Sequence, residues 1–273
     1  RDLHLSIRRQ RQMCIRDSFI SNEIKLRQKY FFLPTPKLIK VNEANNWFIE
    51  EQINALPLNR LGDKSLVQSS INKSRLSMIE LYESESESTS ISLWMKNILN
   101  SLDQAINDLP IVYTNSDKKE FNIVIKKIKE IILRADPKEI KIVQSHGDFQ
   151  PANIMVDKSK DNQMYIIDWE YTSKRSIFYD ALVFSTDARS PLNLSERIYN
   201  LIASKDKTSW QWCFNTPYQK VELLNWMIGV FLLEDFLVRL QQLMIPSLKK
   251  KDYGLELWLL EFNKMTWLIN SEN

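Results

Sequence analysis

A chain of 273 residues, 44% hydrophobic and 26% charged, is long enough to bury more than one core, and a formal net charge of +3 makes it only mildly basic. Its four glycines, Gly62, Gly147, Gly229 and Gly254, are too far apart to build a GxGxxG or GxxxxGK[ST] phosphate cradle. The longest apolar run, Trp226 to Leu233, is far too short to span a membrane, and two cysteines without a CxxC pair exclude a disulfide framework and a structural zinc site.

The first eighteen residues stand apart from the rest. RRQRQMCIRDS, Arg8 to Ser18, resembles the translated end of a transposase-type sequencing adapter. RDLH, Arg1 to His4, fits a flow-cell primer end, with Leu5 to Ile7 the length of a short index. Residues 1–18 are therefore expected to be adapter-derived, with the gene entered near Phe19 and its own N-terminus missing; the alternative is a basic N-terminal arm, a targeting peptide or a nucleic-acid patch. Setting them aside removes five arginines and two aspartates, which takes the formal charge from +3 to zero. No compositional argument for nucleic acid or an anionic membrane then remains. His146 and Cys213 become the lone imidazole and thiol.

In chain order, residues 21–30 predict a short helix capped by Ser21 or Asn22 and closed before Pro34. Extended pieces follow at 37–41 and 46–52. Apolar Leu66, Ile71, Leu76, Ile79 and Leu81 predict a helix from Asp63 to about Leu81, and the serine-glutamate run 83–90 predicts a solvated loop. Helices are expected at 92–109 and 117–134, the latter opened by Asp117 and Glu120 at capping-box spacing. Short strands at 140–144, 153–157 and 164–169 come next, the last two joined as a hairpin. Beyond Pro191 the pattern is helical, with apolar segments at 220–244 and 255–269.

The hairpin region holds the chemistry. In SHGDFQPANIMVD and YIIDWEY, Asn153 and Asp168 fall at the same end of neighbouring antiparallel strands, and the loop from His146 to Asn153 brings Asp148 beside them. Two oxygen donors suit a hard cation such as Mg²⁺, and a further carboxylate can accept a hydroxyl proton. These are the parts that phosphoryl transfer requires. As isolated residues they would read as turn formers.

The pattern HGDxxxxN followed by IDWE, carried by His146, Gly147, Asp148, Asn153, Ile167, Asp168, Trp169 and Glu170, resembles the aminoglycoside phosphotransferase and choline kinase-like family. The resemblance implies an α+β, protein-kinase-like two-lobe fold. Residues 19–52 would be the remnant of a truncated N-terminal β lobe, and 53–273 a mainly helical C-terminal lobe with the catalytic loop and metal site. It implies Asp148 as base, Asn153 and Asp168 as Mg²⁺ ligands, and structural support of the loop by His146 and buried Asp180. WFIEEQINALPL resembles the family's hinge, so the Glu50 and Gln52 backbones would meet ATP, although Ala55 replaces the usual glycine. Glu23 resembles the helix glutamate that pairs with a phosphate-binding lysine, expected before residue 19. Without that lysine this chain would be a poor catalyst.

Glu170 either touches substrate or faces solvent. Glu234 and Asp235 could grip a cationic substrate, but Arg239 four residues beyond Asp235 favours a helix ion pair. Trp210 and Trp212 fit packing, and Cys213 a core thiol. The implied activity is an ATP- and Mg²⁺-dependent, cytoplasmic small-molecule kinase acting on a hydroxyl of an aminoglycoside, choline-like amine or sugar. It would need neither nucleic acid nor a membrane span. The alternative is an inactive pseudokinase or nucleotide-binding module.

Overall fold

The computed structural model describes residues 6–7, 14–45, 47–203, 208–214, 225–244 and 250–270. The chain runs β1 (Ser6–Ile7), α1 (Cys14–Lys29), β2 (Leu38–Asn42), β3 (Trp47–Glu50), β4 (Leu56–Pro57) and α2 (Lys64–Ser84). Next come β5 (Ser86–Ser90), α3 (Ile91–Asn107), α4 (Asn115–Arg134), β6 (Glu139–Ser145), β7 (Ile154–Asp157), β8 (Gln163–Ile166) and β9 (Ser173–Ser176). The helices α5 (Tyr179–Thr186), α6 (Leu194–Ala203), α7 (Thr208–Gln211), α8 (Asn225–Gln242), α9 (Tyr253–Lys264) and α10 (Thr266–Asn270) complete it. The fold is α+β, as expected.

Caps explain where several helices begin. Asp63 accepts from the N–H groups of Ser65 (2.9 Å) and Leu66 (3.1 Å), which fixes the start of α2. At α4 the capping box lies three residues earlier than predicted. Thr114 Oγ1 takes the Asp117 N–H and Asp117 takes the Thr114 N–H (2.7 Å), so Asp117 is the third helical residue and not the cap. Helix α1 likewise starts at Cys14, and the predicted caps Ser21 and Asn22 lie inside it. Buried Ile20, one residue ahead of the predicted start, packs with Ile24 and Phe48, which accounts for the helix reaching back to that residue. Residues 86–90, predicted as a loop, form strand β5. Backbone pairing in a sheet ordered β5-β6-β9 makes this strand, although its side chains stay mostly exposed and lack apolar alternation.

Two compact units emerge, 1–85 with 143–174, and 86–142 with 175–273; the divisions fall inside β6 and β9. The 143–174 hairpin region is thereby grouped with the N-terminal segment, where the sequence reading grouped it with the C-terminal helices. The reason is β4, which pairs with β7 at Leu56–Val156 and Pro57–Met155 and so joins the hairpin to the first segment. In the first unit α1 lies over the β1-β3-β2 sheet, with Leu38 and Val41 completing the Ile20–Ile24–Phe48 core. A second sheet, β4-β7-β8, holds the hairpin in the register Ile154–Ile166 to Asp157–Gln163. A five-residue connection joins its strands, a 3-10 turn at Lys158–Lys160 followed by Asp161 (φ 52°) and Asn162 (φ 56°) in the left-handed region that Asp and Asn tolerate.

The second unit is built around α8, buried along most of its length. Helix α4 crosses it so closely that a Cβ on Gly229 would stand 2.8 Å from Ile132 Cγ1. Phe236, Trp258 and Phe262 stack in succession, with ring centroids 4.9 and 5.9 Å apart. Inside this apolar core sits an ionic cluster. Asp235 Oδ1 accepts from Arg189 (2.8 Å), and its Oδ2 accepts from Arg239 Nε and Trp258 Nε1 (both 2.9 Å). The two arginines hold the Asp235 carboxyl below its usual range although burial opposes them. Arg189 also donates to the Tyr179 hydroxyl (2.9 Å), whose pKa burial raises to about 12. The predicted Asp235–Arg239 helix pair is present. Cys213 is a buried free thiol, as expected, donating to Trp210 O (3.2 Å), and burial pushes its pKa up. Trp210 is buried in the packing.

Glu234 is buried beside Asp235. Its oxygens accept the Ser176 N–H (2.8 Å) and Oγ–H (2.6 Å). Burial nevertheless raises its pKa from 4.5 to about 7, with the Ser176 bonds opposing. Between these values the unfolded chain carries an ionised Glu234 and the folded chain a neutral one. This contribution to stability is full below about pH 4.5, declines as pH rises to about 7, and is level above it. Over that window Glu234→Gln should flatten the pH dependence of the urea unfolding free energy, by an amount on the order of 3 kcal/mol. Parallel wild-type and variant curves from pH 4.5 to 7.5 would refute the assignment.

Candidate active site

The loop Ser145-His146-Gly147-Asp148 turns sharply after β6. Gly147 has φ 85°, a conformation in which any Cβ is strained, and the turn lets the Asp148 N–H donate to His146 Nδ1 (3.2 Å). With Nδ1 accepting, Nε2 carries the proton and donates to the Ile167 carbonyl (3.0 Å). Fully buried His146 therefore ties the loop to the end of β8. Its ring packs on Trp169 at 4.3 Å between centroids, and Trp169 Nε1 donates to Ile166 O (3.0 Å).

Asn153 makes the second tie. It is buried at the end of a 3-10 turn, and its Nδ2 donates to both Asp148 O and Asp148 Oδ2 (each 2.9 Å). Gln150 Nε2 adds a second amide donor to Oδ2 at 3.0 Å. The Asn153 carbonyl accepts the Ile167 N–H (2.9 Å), so Ile167 is held by Asn153 on one side and His146 on the other. Asp168 follows directly, half-buried, in the left-handed region at φ 63° and ψ 56°. Asp tolerates that conformation better than most residues, and the bonds on Ile167 hold it there. Asp148, Asn153 and Asp168 thus sit on one hydrogen-bonded frame. Glu170, half-buried, lies in the 3-10 turn Trp169–Tyr171, where Tyr171 meets Phe19 of α1 with ring centroids 5.3 Å apart.

The donor set fits a hard cation shared with a ligand. Nδ2 of Asn153 faces Asp148, which leaves its Oδ1 as the oxygen it can offer alongside the Asp168 carboxylate. Among the described residues no three or more His, Cys, Asp or Glu form a metal-holding group. Mg²⁺ is commonly held by one or two protein oxygens with water and substrate phosphates completing the shell, and an amide oxygen with a carboxylate is chemically compatible with that.

The expected nucleotide residues behave differently. Glu23 and Glu50 meet on Arg27, whose Nη1 donates to Glu23 Oε1 (3.1 Å) and Glu50 Oε2 (2.9 Å). Arg27 also donates to Pro36 O, and its guanidinium lies 5.1 Å above the Phe48 ring. In this structure Glu23 has Arg27 as a cationic partner on its own helix. Glu50 lies in β3, opposite Leu38 of β2 and Ser6 of β1, and Gln52 is exposed just beyond that strand. Asp180 and Glu234 belong to the second unit, both buried, Asp180 in the first turn of α5. With both oxygens on Ser176, Glu234 acts as an internal brace. Arg27, Gln150 and Thr172 were not singled out from sequence. Thr172 Oγ1 donates to Ser145 O (2.8 Å) beside the His146–Asp148 loop.

Comparison with known families then places this frame. The family model for choline/ethanolamine kinase matches residues 40–190, more than half the chain and all of the stretch from Ser145 to Thr172. The chain belongs to the choline/ethanolamine kinase family. It is accordingly a small-molecule kinase by family. Among solved structures it resembles the choline kinase LicA from Streptococcus pneumoniae at 14% identity and TM-score 0.58, over 93% of this chain and 81% of that one. LicA has also been solved in complex with AMP. An ethanolamine kinase from Plasmodium vivax aligns at 15% identity and TM-score 0.56, covering 92% and 71% of the two chains. A thermostable aminoglycoside phosphotransferase APH(4)-Ia mutant aligns at 10% and 0.56, covering 97% and 93%. At these identities the likeness establishes the fold. No curated protein sequence matches the chain. Among the described residues no helix is long and apolar enough to cross a membrane.

Proposed function

We propose that this protein transfers the terminal phosphoryl group of ATP, with Mg²⁺, to the hydroxyl of a small amino alcohol of the choline or ethanolamine type. The observation that carries the reading is the Asn153 side chain. One amide group anchors the Asp148 carboxylate through Nδ2 and keeps Oδ1 for a cation, so the proposed base and metal site share a residue. Asp148 accepts the acceptor's hydroxyl proton as the new O–P bond forms and the bond to the bridging oxygen of ADP breaks. Bound Mg²⁺ supplies charge neutralisation of the phosphates. Asn153 and Asp168 orient it, and the His146 and Asn153 bonds keep these groups from reorganising during transfer.

The test is acceptor-dependent ADP formation with choline, ethanolamine, hexoses and aminoglycosides in turn. Turnover with an amino alcohol, abolished by EDTA, is expected. Asp168→Ala should weaken Mg²⁺-nucleotide binding, read by titration with a fluorescent ATP analogue. Nucleotide binding without turnover on any acceptor would favour the inactive-module alternative and defeat the proposal.

A further inference from the structure

One face of α1 has no part in the frame described above. Asn22, Lys25, Leu26 and Lys29 recur at the i, i+3, i+4, i+7 spacing of a single helical stripe, well apart from the stripe that carries Glu23 and Arg27. This stripe lines an open cavity of about 330 Å³ in the first unit, together with Tyr30, Glu85, Gln144, Thr172 and Ser173. Its floor is apolar, with Leu26 and Tyr30 both buried. Its rim is polar and cationic. Lys25, Asn22 and Ser173 are exposed, and no hydrogen bond or ion pair engages their side chains among the described residues. Lys29 Nζ is held by Glu85 at 2.9 Å, and the Tyr30 hydroxyl also donates to that carboxylate.

We infer that this cavity binds a small phosphorylated molecule, its phosphate taken by Lys25 and Lys29 and its body laid on Leu26 and Tyr30. Three features support a phosphate ligand. Two ammonium groups one helical turn apart face one space, against a single carboxylate, so the lining carries a net positive charge. The neutral groups around them, the Asn22 amide and the Ser173 hydroxyl, can donate to phosphate oxygens. The only anion present, Glu85, is a third exposed, and the lysine it holds is more than half exposed. Such a pair contributes little, so an incoming dianion can displace the carboxylate from Lys29. The volume suits a ligand at the small end of the usual range for bound metabolites.

This inference stands apart from the kinase reading, and its test keeps them separate. Inorganic phosphate, and then glycerol phosphate, is titrated into the full chain in EDTA, so that no cation draws the anion to Asp168, with binding followed by ³¹P NMR. Saturable binding is expected, weakening as salt is raised. Lys25→Ala with Lys29→Ala should weaken it by about ten-fold or more, the worth of one charge-assisted contact, while the melting temperature stays close to wild type. Glu85→Gln should act in the opposite direction and tighten it, because the competing carboxylate is gone. Glycerol phosphate should bind more tightly than inorganic phosphate, since only it has a body to cover the floor. Non-saturable binding, a double lysine variant that titrates like wild type, or a Glu85→Gln variant that binds no better would each overturn the assignment.

Discussion

Asp148→Asn should lower kcat by about 10² to 10⁴, the usual worth of a positioned general base, and leave nucleotide affinity close to wild type. The substitution keeps the shape of the side chain and leaves an oxygen that can still accept from Asn153 and Gln150 at the position of Oδ2. The loop should therefore survive, with its Gly147 turn and the His146 bond to the Asp148 backbone N–H intact. The variant loses the capacity to take a proton from the acceptor. In the proposed reaction the acceptor hydroxyl is the nucleophile, and without a base its oxygen must attack while still protonated. Steady-state turnover and a nucleotide titration on the same preparation separate the cases. If kcat and affinity fall together, Asp148 is holding the nucleotide. Wild-type turnover would remove Asp148 from the chemistry altogether.

The largest effect on stability should come from Asp235→Ala, at about 3–5 kcal/mol in urea unfolding. Asp235 is fully buried and balances Arg189 and Arg239, whose side chains are nearly as enclosed, and it accepts from Trp258 as well. Truncation takes the balancing carboxylate from two guanidinium groups, which keep the Tyr179 hydroxyl and the Ala188 carbonyl as acceptors, and removes the acceptor of the Trp258 indole N–H. That loss is a large fraction of the roughly 5–15 kcal/mol that holds most domains together. Arg239→Met combined with Asp235→Ala should cost less than the sum of the single changes, since removing the stranded cation relieves part of the penalty. A single-variant loss below about 1 kcal/mol would show that water reaches the site and solvates the arginines.

What the sequence revealed depended on whether a residue's identity or its neighbours decide its role. His146, Gly147, Asp148, Asn153, Asp168 and Trp169 form a pattern because the proposed chemistry would need those side chains at those spacings, and hydrogen bonds and ring packing join them in one frame. Arg27 carries no such signal. Its partner on the same helix, Glu23, is visible at i, i+4, but Glu50 and Pro36 reach it only once α1 lies across β3. Strand β5 was missed because its serines and glutamates show no alternation, and pairing with β6 supplies what the side chains do not. The start of α4 was misplaced because Thr114–Asp117 and Asp117–Glu120 share one spacing, and only the backbone geometry distinguishes them.

The first unit is discontinuous, made of residues 1–85 and 143–174 with the whole of 86–142 between. During synthesis α1 and the β1-β3-β2 sheet emerge long before β7 and β8, so β4 waits on the ribosome with its edge unpaired. At about 5–20 residues per second that wait lasts on the order of 5–20 s. The segment bearing Asp148, Asn153 and Asp168 is also the piece that closes this unit. A nascent chain therefore cannot complete its first compact body without assembling the proposed catalytic frame in the same step.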